Sequence, residues 1–477
     1  MRLIQKKLSF IALLFAALGQ NLLADITPLS LLEEKKLTLE QQLGGKIFFD
    51  TNLSSPPGQS CASCHDLKTS LTDSIQNSPV SLGAALGRTG TRNTPSAAYS
   101  AFSPEFHFDQ EEGLFIGGQF LDGRAKNLKE QAKGPFLNPN EMNNTNEKSV
   151  IEKIKGANYV QLFKQVYGQQ VLNNPEEAYD KMAQAIVAFE NTSSFNQFTS
   201  KYDYFLAGRI NLSEQEEKGL ELFEDENKGN CAACHISKTE DGSLPLFTDF
   251  TYDNLGVPSN PDILALKGDG FIDVGLGETV GSEENGKFKV PSLRNITKTA
   301  PYMHNGSFSE LKEVVDFYNT RDIDDKWGAP EVSKNMNTEE LGDLKLTNEE
   351  VTAIVAFLHT LTDGYQLEMN PIFSVESGTL ELPYVRTESV NQPDKFYSAQ
   401  LHLNDKGFFE LTHLHETSIT DFSMLSSIPY YSVDTGILEL PTIEGSTQMG
   451  AYIGQLKYLP ENNGKINFEL SYSKNIK

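Results

Sequence analysis

Two stretches of the chain carry apolar residues at the period of about 3.6 that marks one face of a helix. The apolar positions are Tyr179, Met182, Ile186 and Phe189 in the first stretch and Val351, Ile354, Val355, Leu358 and Leu361 in the second. Capping boxes, in which a hydroxyl residue precedes Glu or Gln by three positions, open helices at Thr38, Ser213 and Thr347. The pattern therefore predicts two successive units, each of which begins and ends with a helix.

Towards the C-terminus the pattern changes to alternating apolar and polar residues broken by Gly, Pro and Asn-Gly, which is typical of strands and hairpins. Residues 373–383 return with similar side chains at residues 431–441. We therefore predict that residues 366–477 form a small β-rich module built from two repeats. His413 and His415 would share one face of a strand. A solvated strand face is the preferred interpretation of this pair, and a metal-binding pair is the alternative.

The first residues have the layout of a secretory signal peptide. Basic residues open the chain, an apolar run follows from Leu8 to Leu18, and small residues end at Ala24. Because the run is too short to span a bilayer, we predict that residues 1–24 direct export to the periplasm. A retained N-terminal anchor is the alternative. We expect no membrane span elsewhere in the chain.

The overall charge narrows the range of partners. The formal net charge is −25 at pH 7. Nucleic acids and anionic membranes would repel so acidic a surface, so we expect neither as a partner.

The four cysteines form two copies of one motif. They stand as Cys61-Ala62-Ser63-Cys64-His65 and Cys231-Ala232-Ala233-Cys234-His235. Although disulfides are the usual expectation in an exported protein, two cysteines at this spacing can form thioethers with one porphyrin, and the next His can bind its iron. A zinc site would not require His directly after the second Cys. We therefore predict two covalently bound c-type haems, with His65 and His235 as axial ligands.

The helix patterns and the two motifs follow the same order twice. A helix, a haem motif, loops rich in Gly, Pro, Asn and Ser, and a closing helix succeed one another in each unit. This order predicts two tandem cytochrome c-like haem domains, at residues 25–205 and 206–365, followed by the β-rich module at residues 366–477. The predicted fold class is therefore mainly α, with a small β-rich repeat module at the end.

Further motifs resemble those of the bacterial di-haem cytochrome c peroxidase family, which includes the MauG-type enzymes of methylamine utilisation. They occur in the family's order between Leu43 and Gly364. The motifs are Leu43-Gly44-Gly45-Lys46-Ile47-Phe48-Phe49-Asp50, Arg92-Asn93-Thr94-Pro95, Asp122-Gly123-Arg124-Ala125, Gly134-Pro135, Asn138-Pro139-Asn140-Glu141-Met142, Val290-Pro291-Ser292-Leu293-Arg294-Asn295 and Thr299-Ala300-Pro301-Tyr302-Met303-His304-Asn305-Gly306.

The resemblance implies roles for particular residues. The haem on His65 would be the peroxidatic one, and its distal carboxylate falls on Glu141, which would move a proton during peroxide cleavage. A plain loop position is the alternative interpretation of Glu141. Asn93, Thr299 and Pro301 match a family calcium site between the haems, the last two through backbone carbonyls. The alternative to calcium binding is that Asn93 is a turn residue before Thr94-Pro95.

Two departures from the classical peroxidases resemble MauG. Many family members have a distal His soon after the first motif, but here none occurs between His65 and His107, so we expect an open, five-coordinate first haem. Tyr318 stands where classical members place an axial Met, and a phenolate would lower the potential of the second haem. Met303 and Met336 are rival ligands, and a Tyr packed in a helix core is a further alternative.

A third departure argues against a MauG-like enzyme. The family usually has a Trp before Asp-Gly-Arg, which serves as an electron relay between the haems, and here this position is Leu121. Phe120 is a poor substitute, because a phenyl ring is much harder to oxidise than an indole. Electrons can still tunnel directly, but MauG-like cooperation of the two haems would lack this relay.

The resemblance implies a cytochrome-c peroxidase that reduces hydrogen peroxide at the first haem with electrons delivered through the second. The donor would be a small periplasmic cytochrome c or cupredoxin. Two alternatives stay open: a MauG-like enzyme that uses peroxide to oxidise residues of a partner protein, and a non-enzymatic di-haem electron carrier. Glu141 and the open first haem argue against the carrier, which has no use for an empty coordination position. The resemblance also allows a homodimer.

Overall fold

The computed structural model describes residues 37–75, 78–207, 210–239, 241–365, 371–374, 377–389, 392–417, 428–445, 451–462 and 465–475. The predicted signal peptide lies outside these residues. The chain divides into two compact units, of which the first holds Lys35–Phe205 and Asn211–Gly364 and the second includes Tyr365–Lys477. Of the helices in the described ranges, none has both the length and the apolar character needed to cross a bilayer.

The first unit is built mainly from helices joined by long loops. The α-helices in the described residues are α1 (Leu39–Phe48), α2 (Leu128–Leu137), α3 (Glu147–Gly156), α4 (Val160–Tyr167), α5 (Pro175–Glu190), α6 (Lys201–Leu206), α7 (Glu214–Glu224), α8 (Pro261–Lys267), α9 (Leu276–Val280), α10 (Leu311–Thr320) and α11 (Asn348–His359). Two short antiparallel pairs lie in its loops: β1 (His107–Asp109) with β2 (Leu114–Ile116), and β3 (Tyr252–Asp253) with β4 (Phe288–Lys289).

The three predicted capping boxes are confirmed. Thr38, Ser213 and Thr347 each accept a hydrogen bond from the backbone N–H three residues later, and the Glu or Gln there accepts one in return. They open α1, α7 and α11. The two predicted amphipathic helices are confirmed as α5 and α11. Because α11 ends at His359, the buried Leu361 packs from just beyond the helix.

The same helix crossing occurs in both halves of the first unit. α1 packs against α5 with Gly44 at the contact, and α7 packs against α11 with Gly219 at the contact. A Cβ atom on Gly44 would lie 1.9 Å from the backbone oxygen of Ala185, and one on Gly219 would lie 2.0 Å from that of Ala353. Only a residue without a side chain allows so close an approach. The repeated crossing agrees with two tandem cytochrome c-like domains, while their border at residues 205 and 206 stays a prediction.

In the second unit the sequence repeat becomes a structural repeat. Its strands are β5 (Ile372–Ser374), β6 (Thr379–Ser389), β7 (Gln392–Leu403), β8 (Phe409–Thr417), β9 (Tyr430–Ser432), β10 (Ile437–Gly445), β11 (Ala451–Asn462) and β12 (Lys465–Asn475). β5 to β8 pair in sequence as antiparallel neighbours, and β9 to β12 do the same. The prediction of a β-rich module with two repeats is therefore confirmed.

The two repeats close on each other. β5 runs parallel to β10, β9 runs parallel to β6, and β8 meets β12 in antiparallel pairing at Phe409 and Glu410. Because each repeat makes the same pairings to the other, an approximate two-fold axis relates them. In the described residues each long strand thus has a neighbour on both sides, and the sheet has no free long edge.

The predicted fold class is right only in part. Helices dominate the first unit, whereas the described residues between 371 and 475 form strands of up to 12 residues, because their apolar positions alternate instead of following the helical period. "Mainly α" therefore does not describe the whole chain. His413 and His415 lie on β8 opposite Gln400 and Ser398, so they share a strand face as predicted. In the described residues they belong to no cluster of three metal-ligand side chains.

Candidate functional site

The first motif folds as a tight turn that presents His65. Cys61–Ser63 is a 3-10 turn, and the backbone N–H of His65 donates to the carbonyl of Cys61 at 3.0 Å. Nδ1 of His65 lies 2.9 Å from the carbonyl oxygen of Leu71. Since a carbonyl only accepts, Nδ1 carries the proton, and burial keeps the ring neutral by lowering its pKa. A neutral ring held in this way presents the lone pair of Nε2, as an iron ligand requires.

The second motif repeats this geometry. Cys231–Ala233 is again a 3-10 turn, and the N–H of His235 donates to the carbonyl of Cys231 at 2.9 Å. Nδ1 of His235 lies 2.8 Å from the carbonyl oxygen of Phe247. Burial lowers the pKa of His235 to about 4, so this imidazole is also neutral and offers Nε2. Both predicted proximal ligands therefore have the hydrogen bond that orients a metal-bound histidine.

The protonation of the cysteines fits haem attachment better than zinc binding. None of the four is in a disulfide. Burial raises the pKa of Cys64 to about 11 and that of Cys231 and Cys234 to about 12, and it raises the pKa of Cys61 further. Zinc needs ionised thiolates, and these surroundings disfavour them. A thioether carries no charge and suits the same surroundings.

A cavity of about 340 Å³ lies beside the second motif, which is within the range of about 300–1,000 Å³ typical of cofactor sites. Its lining includes Cys231, Cys234 and His235, and also Tyr318 and Met303. The attachment residues, the proximal His and two candidate distal ligands thus face one space. The residues present fit a second c-type haem.

Tyr318 is well placed to be the distal ligand in this cavity. It belongs to α10, and burial, followed by the charges of Cys234 and Cys231, raises the pKa of its phenol. Its hydroxyl forms no hydrogen bond with any described residue. Of the two rival ligands, Met303 lines the same cavity, whereas Met336 is absent from the lining and packs against the backbone at Gly256.

Glu141 lies in the turn after α2, near the first motif. Nδ2 of Asn138 donates to its Oε1 at 2.6 Å. The charge of Glu141 contributes to the raised pKa of both Cys61 and Cys64, so the carboxyl is within electrostatic reach of the first motif. Burial raises the pKa of Glu141 itself, although Arg124 and Asn138 act in the opposite direction. The fold therefore brings a half-buried, oriented carboxyl into electrostatic reach of the first motif.

The residues matched to the calcium site come together as well. Asn93, Thr299 and Pro301 all line the cavity described above. The backbone N–H of Asn93 donates to the carbonyl of His304 at 2.8 Å, and its Nδ2 lies 3.3 Å from the carbonyl of Pro79. Its Oδ1 makes no hydrogen bond within the described chain, so an oxygen donor of the kind that calcium prefers is available.

The position of the missing Trp has a distinctive setting. Leu121 and Phe120 both line the cavity, and the guanidinium of Arg124 lies 3.6 Å from the centre of the Phe120 ring. The backbone N–H of Lys289 donates to the carbonyl of Leu121 at 2.9 Å, and its buried ammonium donates to the carbonyl of Gly118 at 2.6 Å. Burial lowers the pKa of Lys289 to about 8. Aliphatic and cationic groups thus stand where the family has an indole.

An ion-pair network beside this position was missed from the sequence. Arg92 donates to Asp122 at 2.5 Å and to both carboxylate oxygens of Asp273, at 2.6 and 2.7 Å. Both acids are almost fully buried. Arg92 and Asp122 belong to motifs quoted above, and their opposite charges are a signal for pairing. Asp273 belongs to no motif, so its role could not be anticipated.

His107 does not join the first haem site. It is exposed on the β1–β2 pair, opposite Ile116, and its Nδ1 lies 2.8 Å from the carbonyl of Glu105. An exposed imidazole on a hairpin leaves the prediction of an open first haem in place.

Comparison with known proteins places these sites in a family. The sequence profile of the di-haem cytochrome c peroxidases matches residues 39–211, and that of cytochrome c matches residues 216–362. The methylamine utilization protein MauG of Paracoccus denitrificans is 38% identical over 372 residues, which cover 72% of this chain and 95% of that protein. The chain belongs to the di-haem cytochrome c peroxidase and MauG family.

Other members of this di-haem family are similar over comparable lengths. The cytochrome c551 peroxidase of Nitrosomonas europaea is 34% identical, over 67% of this chain and 79% of that protein. The crystal structure of the diheme peroxidase BthA from Burkholderia thailandensis matches with a TM-score of 0.63 and 32% identity, over 72% of this chain and 90% of that one. Membership implies two c-type haems, one for each motif. Since both MauG and cytochrome c peroxidases are relatives, membership alone does not choose between their reactions.

Proposed function

We propose that this protein is a periplasmic di-haem peroxidase that reduces hydrogen peroxide at the first haem with electrons delivered through the second. The observation that carries the proposal is Glu141, a half-buried carboxyl that Asn138 orients within electrostatic reach of Cys61 and Cys64. A protein that only carries electrons has no need of an acid–base group beside its haem. Family membership and the absence of a distal His after His65 support the same conclusion.

Glu141 would perform the proton transfers of the reaction. When bound, the haem on His65 would hold the peroxide and supply electrons to it. Glu141 takes a proton from the nearer peroxide oxygen and returns it to the farther one, which leaves as water when the O–O bond breaks. Peroxide takes up two electrons and two protons in all and yields two water molecules. Burial raises the pKa of Glu141 towards the working pH, as a group that both accepts and donates a proton requires.

The other ligand assignments follow the two motifs. Thioethers and axial bonds to the first haem would come from Cys61, Cys64 and His65, and those to the second from Cys231, Cys234, His235 and Tyr318. A phenolate from Tyr318 is a hard anionic donor, which would lower the potential of the second haem. Its position in the cavity beside Cys231 and Cys234 supports this assignment over Met336.

We also propose one calcium ion between the haems. Asn93 would supply a side-chain oxygen, and Thr299 and Pro301 would supply backbone carbonyls. The support is that all three line one cavity and that Oδ1 of Asn93 has no donor among the described residues. The ion would hold loops from both haem domains together.

A second candidate function is MauG-like oxidation of residues in a partner protein. The similarity to MauG and the location of Tyr318 favour it, whereas Leu121 in place of the family Trp weakens it. In this case peroxide is consumed at the same first haem, but the electrons come from the partner. With a small cytochrome c or cupredoxin as donor, the enzyme is a peroxidase in the ordinary sense.

The test compares the wild-type protein with Glu141→Gln and with Glu176→Gln, an exposed control on α5. We expect Glu141→Gln to keep two haems and to lose about 10²- to 10⁴-fold in the rate of peroxide reduction, with Glu176→Gln unchanged. Low-temperature EPR of the oxidised wild type should show one high-spin and one low-spin haem that both respond to peroxide. Two low-spin signals that ignore peroxide until one electron is added would refute the open first haem.

A further inference from the structure

Glu190, the last residue of α5, is a buried acid that the proposed reaction does not use. It is 6% exposed, whereas Glu176 and Glu177 in the first turn of the same helix are exposed. Its Oε2 is buried and has no hydrogen-bond partner among the described residues. An ionised carboxylate without a partner is unfavourable in such a place. Burial accordingly raises the pKa of Glu190 to about 8.

The surroundings of Glu190 favour a carboxyl that can donate. Asn196 donates from Nδ2 to the backbone carbonyls of Glu190 at 2.9 Å and of Thr192 at 3.2 Å, so these residues form one local turn. Within the described chain, Oδ1 of Asn196 and Oγ1 of Thr192 are buried without hydrogen-bond partners, and so is Oε1 of Gln59, two residues before Cys61. The amide oxygens only accept hydrogen bonds. A protonated carboxyl can donate a hydrogen bond, which unpaired amide oxygens need, whereas an ionised carboxylate can only accept one.

Glu190 is also electrically coupled to the attachment point of the first haem. After burial itself, the charge of Glu190 makes the largest contribution to the raised pKa of Cys61. Cys61 is an attachment residue and not an iron ligand. The charge that acts on the ligand His65 is that of Asp73. A proton gained or lost at Glu190 would therefore change the electrostatic potential at the edge of the first haem.

Few other charged side chains are placed to influence the protonation of Glu190. The titratable side chains on the elements that pack against α5 near this end are Glu40 and Lys46 of α1 and Cys61, Cys64 and His65 of the first motif. The loop at residues 191–200 and the turn Ser100–Phe102 carry none, but Tyr99 directly precedes that turn, and the charge of Glu141 also acts on Cys61. Burial is the one identified cause of the raised pKa of Glu190. Its proton is therefore free to respond to a change of charge at the haem.

We propose that Glu190 takes up a proton when the first haem is reduced and releases it when that haem is oxidised. One electron enters the haem from the donor of the proposed function, and one proton from solvent converts the Glu190 carboxylate into the acid; oxidation reverses both. The reason is electrostatic: reduction would remove a positive charge from a haem attached at Cys61, whose charge environment Glu190 shares, and this would raise the proton affinity of the carboxylate. The inference rests on the proposed function only in that it requires a haem attached at the first motif.

The test is a spectroelectrochemical titration of the first haem at neutral and alkaline pH, in holoprotein whose two haems have first been counted as pyridine haemochromes. In the wild type the midpoint potential should fall as pH rises through the titration of Glu190. Glu190→Gln should reduce this slope and leave only the part that Glu141 contributes, and Glu177→Gln, an exposed change on the same helix, should keep the wild-type slope. Equal slopes in the wild type and Glu190→Gln would overturn the inference, whereas a first motif without haem would overturn the proposed function instead.

A second measurement needs no variant. In redox-induced infrared difference spectra of the wild type, reduction of the first haem should produce the carbonyl band of a newly protonated carboxylic acid, with the usual shift in heavy water. Where Glu190→Gln folds and binds haem, the band should be missing from it. A wild-type spectrum in which no such band appears on reduction rejects the inference, even if the variant fails to fold.

Discussion

Replacing Gly44 by Ala should destabilise the first haem domain through its helix crossing. The new methyl would lie 1.9 Å from the backbone oxygen of Ala185 and 2.8 Å from Cβ of Phe189, whereas real Cβ contacts essentially never fall below 3.0 Å. α1 and α5 must therefore separate by about 1 Å. Because the clash is with backbone atoms, the cost of overpacking should lie in the upper part of the usual range, at about 2–3 kcal/mol. The better helix propensity of Ala offsets about 1 kcal/mol of it. We expect a net loss of about 1–2 kcal/mol and a melting temperature lower by about 2–8 °C.

The assay is thermal unfolding followed by far-UV circular dichroism, on holoproteins with equal haem content. Gly156→Ala is the matched control, because Gly156 ends α3 with no atom within 4 Å of a new Cβ. It should unfold at the wild-type temperature or slightly above it, since only helix propensity changes. Gly219→Ala repeats the test in the second domain, where the contact is 2.0 Å. If Gly44→Ala behaved like Gly156→Ala, close helix approach would not be the reason for this glycine.

Three further predictions concern the sites. Tyr318→Phe keeps the ring but removes the oxygen, so the low-spin EPR signal of the second haem should change to high-spin; an unchanged signal would make Met303 the ligand. Because burial raises the pKa of Glu141 and a protonated carboxyl cannot accept a proton, stopped-flow peroxide reduction should slow as pH falls through that pKa, and the residual rate of Glu141→Gln should lack this dependence. A shared dependence would exclude Glu141 as the base. Asp273→Asn leaves Arg92, whose side chain is 13% exposed, with a weaker partner and should lower the free energy of unfolding in urea by about 3 kcal/mol. Arg92 lowers the pKa of Asp273 in the folded state. The stabilisation is therefore present above the pKa of Asp273 in the unfolded state and is lost as pH falls through its pKa in the folded state. An unaltered urea midpoint in Asp273→Asn would show that the network adds no stability.

Much of the structure could be predicted from residues that lie close together in the sequence. The capping box at Ser213 and the helical period ending at Phe189 each depend on residues within a few positions of one another, and both are confirmed. The haem motifs are equally local, because one turn of chain has to reach one porphyrin. The repeat in the β-rich module was visible because both copies keep the same order of residues.

Contacts between residues far apart in the sequence could not be predicted. Arg92 meets Asp273 across 181 positions, and no periodicity links them. Glu190 follows directly after the apolar face of α5, where its charge suggests a solvated helix end, yet the fold buries it. Glu141 and Tyr318 were found only by resemblance, since their approach to the two motifs depends on how distant loops and helices pack.

The two-fold pairing in the β-rich module bears on how such a module could arise. One repeat alone supplies half of the sheet and leaves β5, β6 and β8 without the strands of the other repeat that pair with them, which are β10, β9 and β12. An ancestral chain with a single repeat could have closed that sheet only as a symmetric dimer of two identical copies. Duplication and fusion of its gene would turn this association into an intramolecular one, with a high effective concentration of the second half. The fused module would then stay folded at any dilution, whereas a single repeat expressed alone should assemble in pairs.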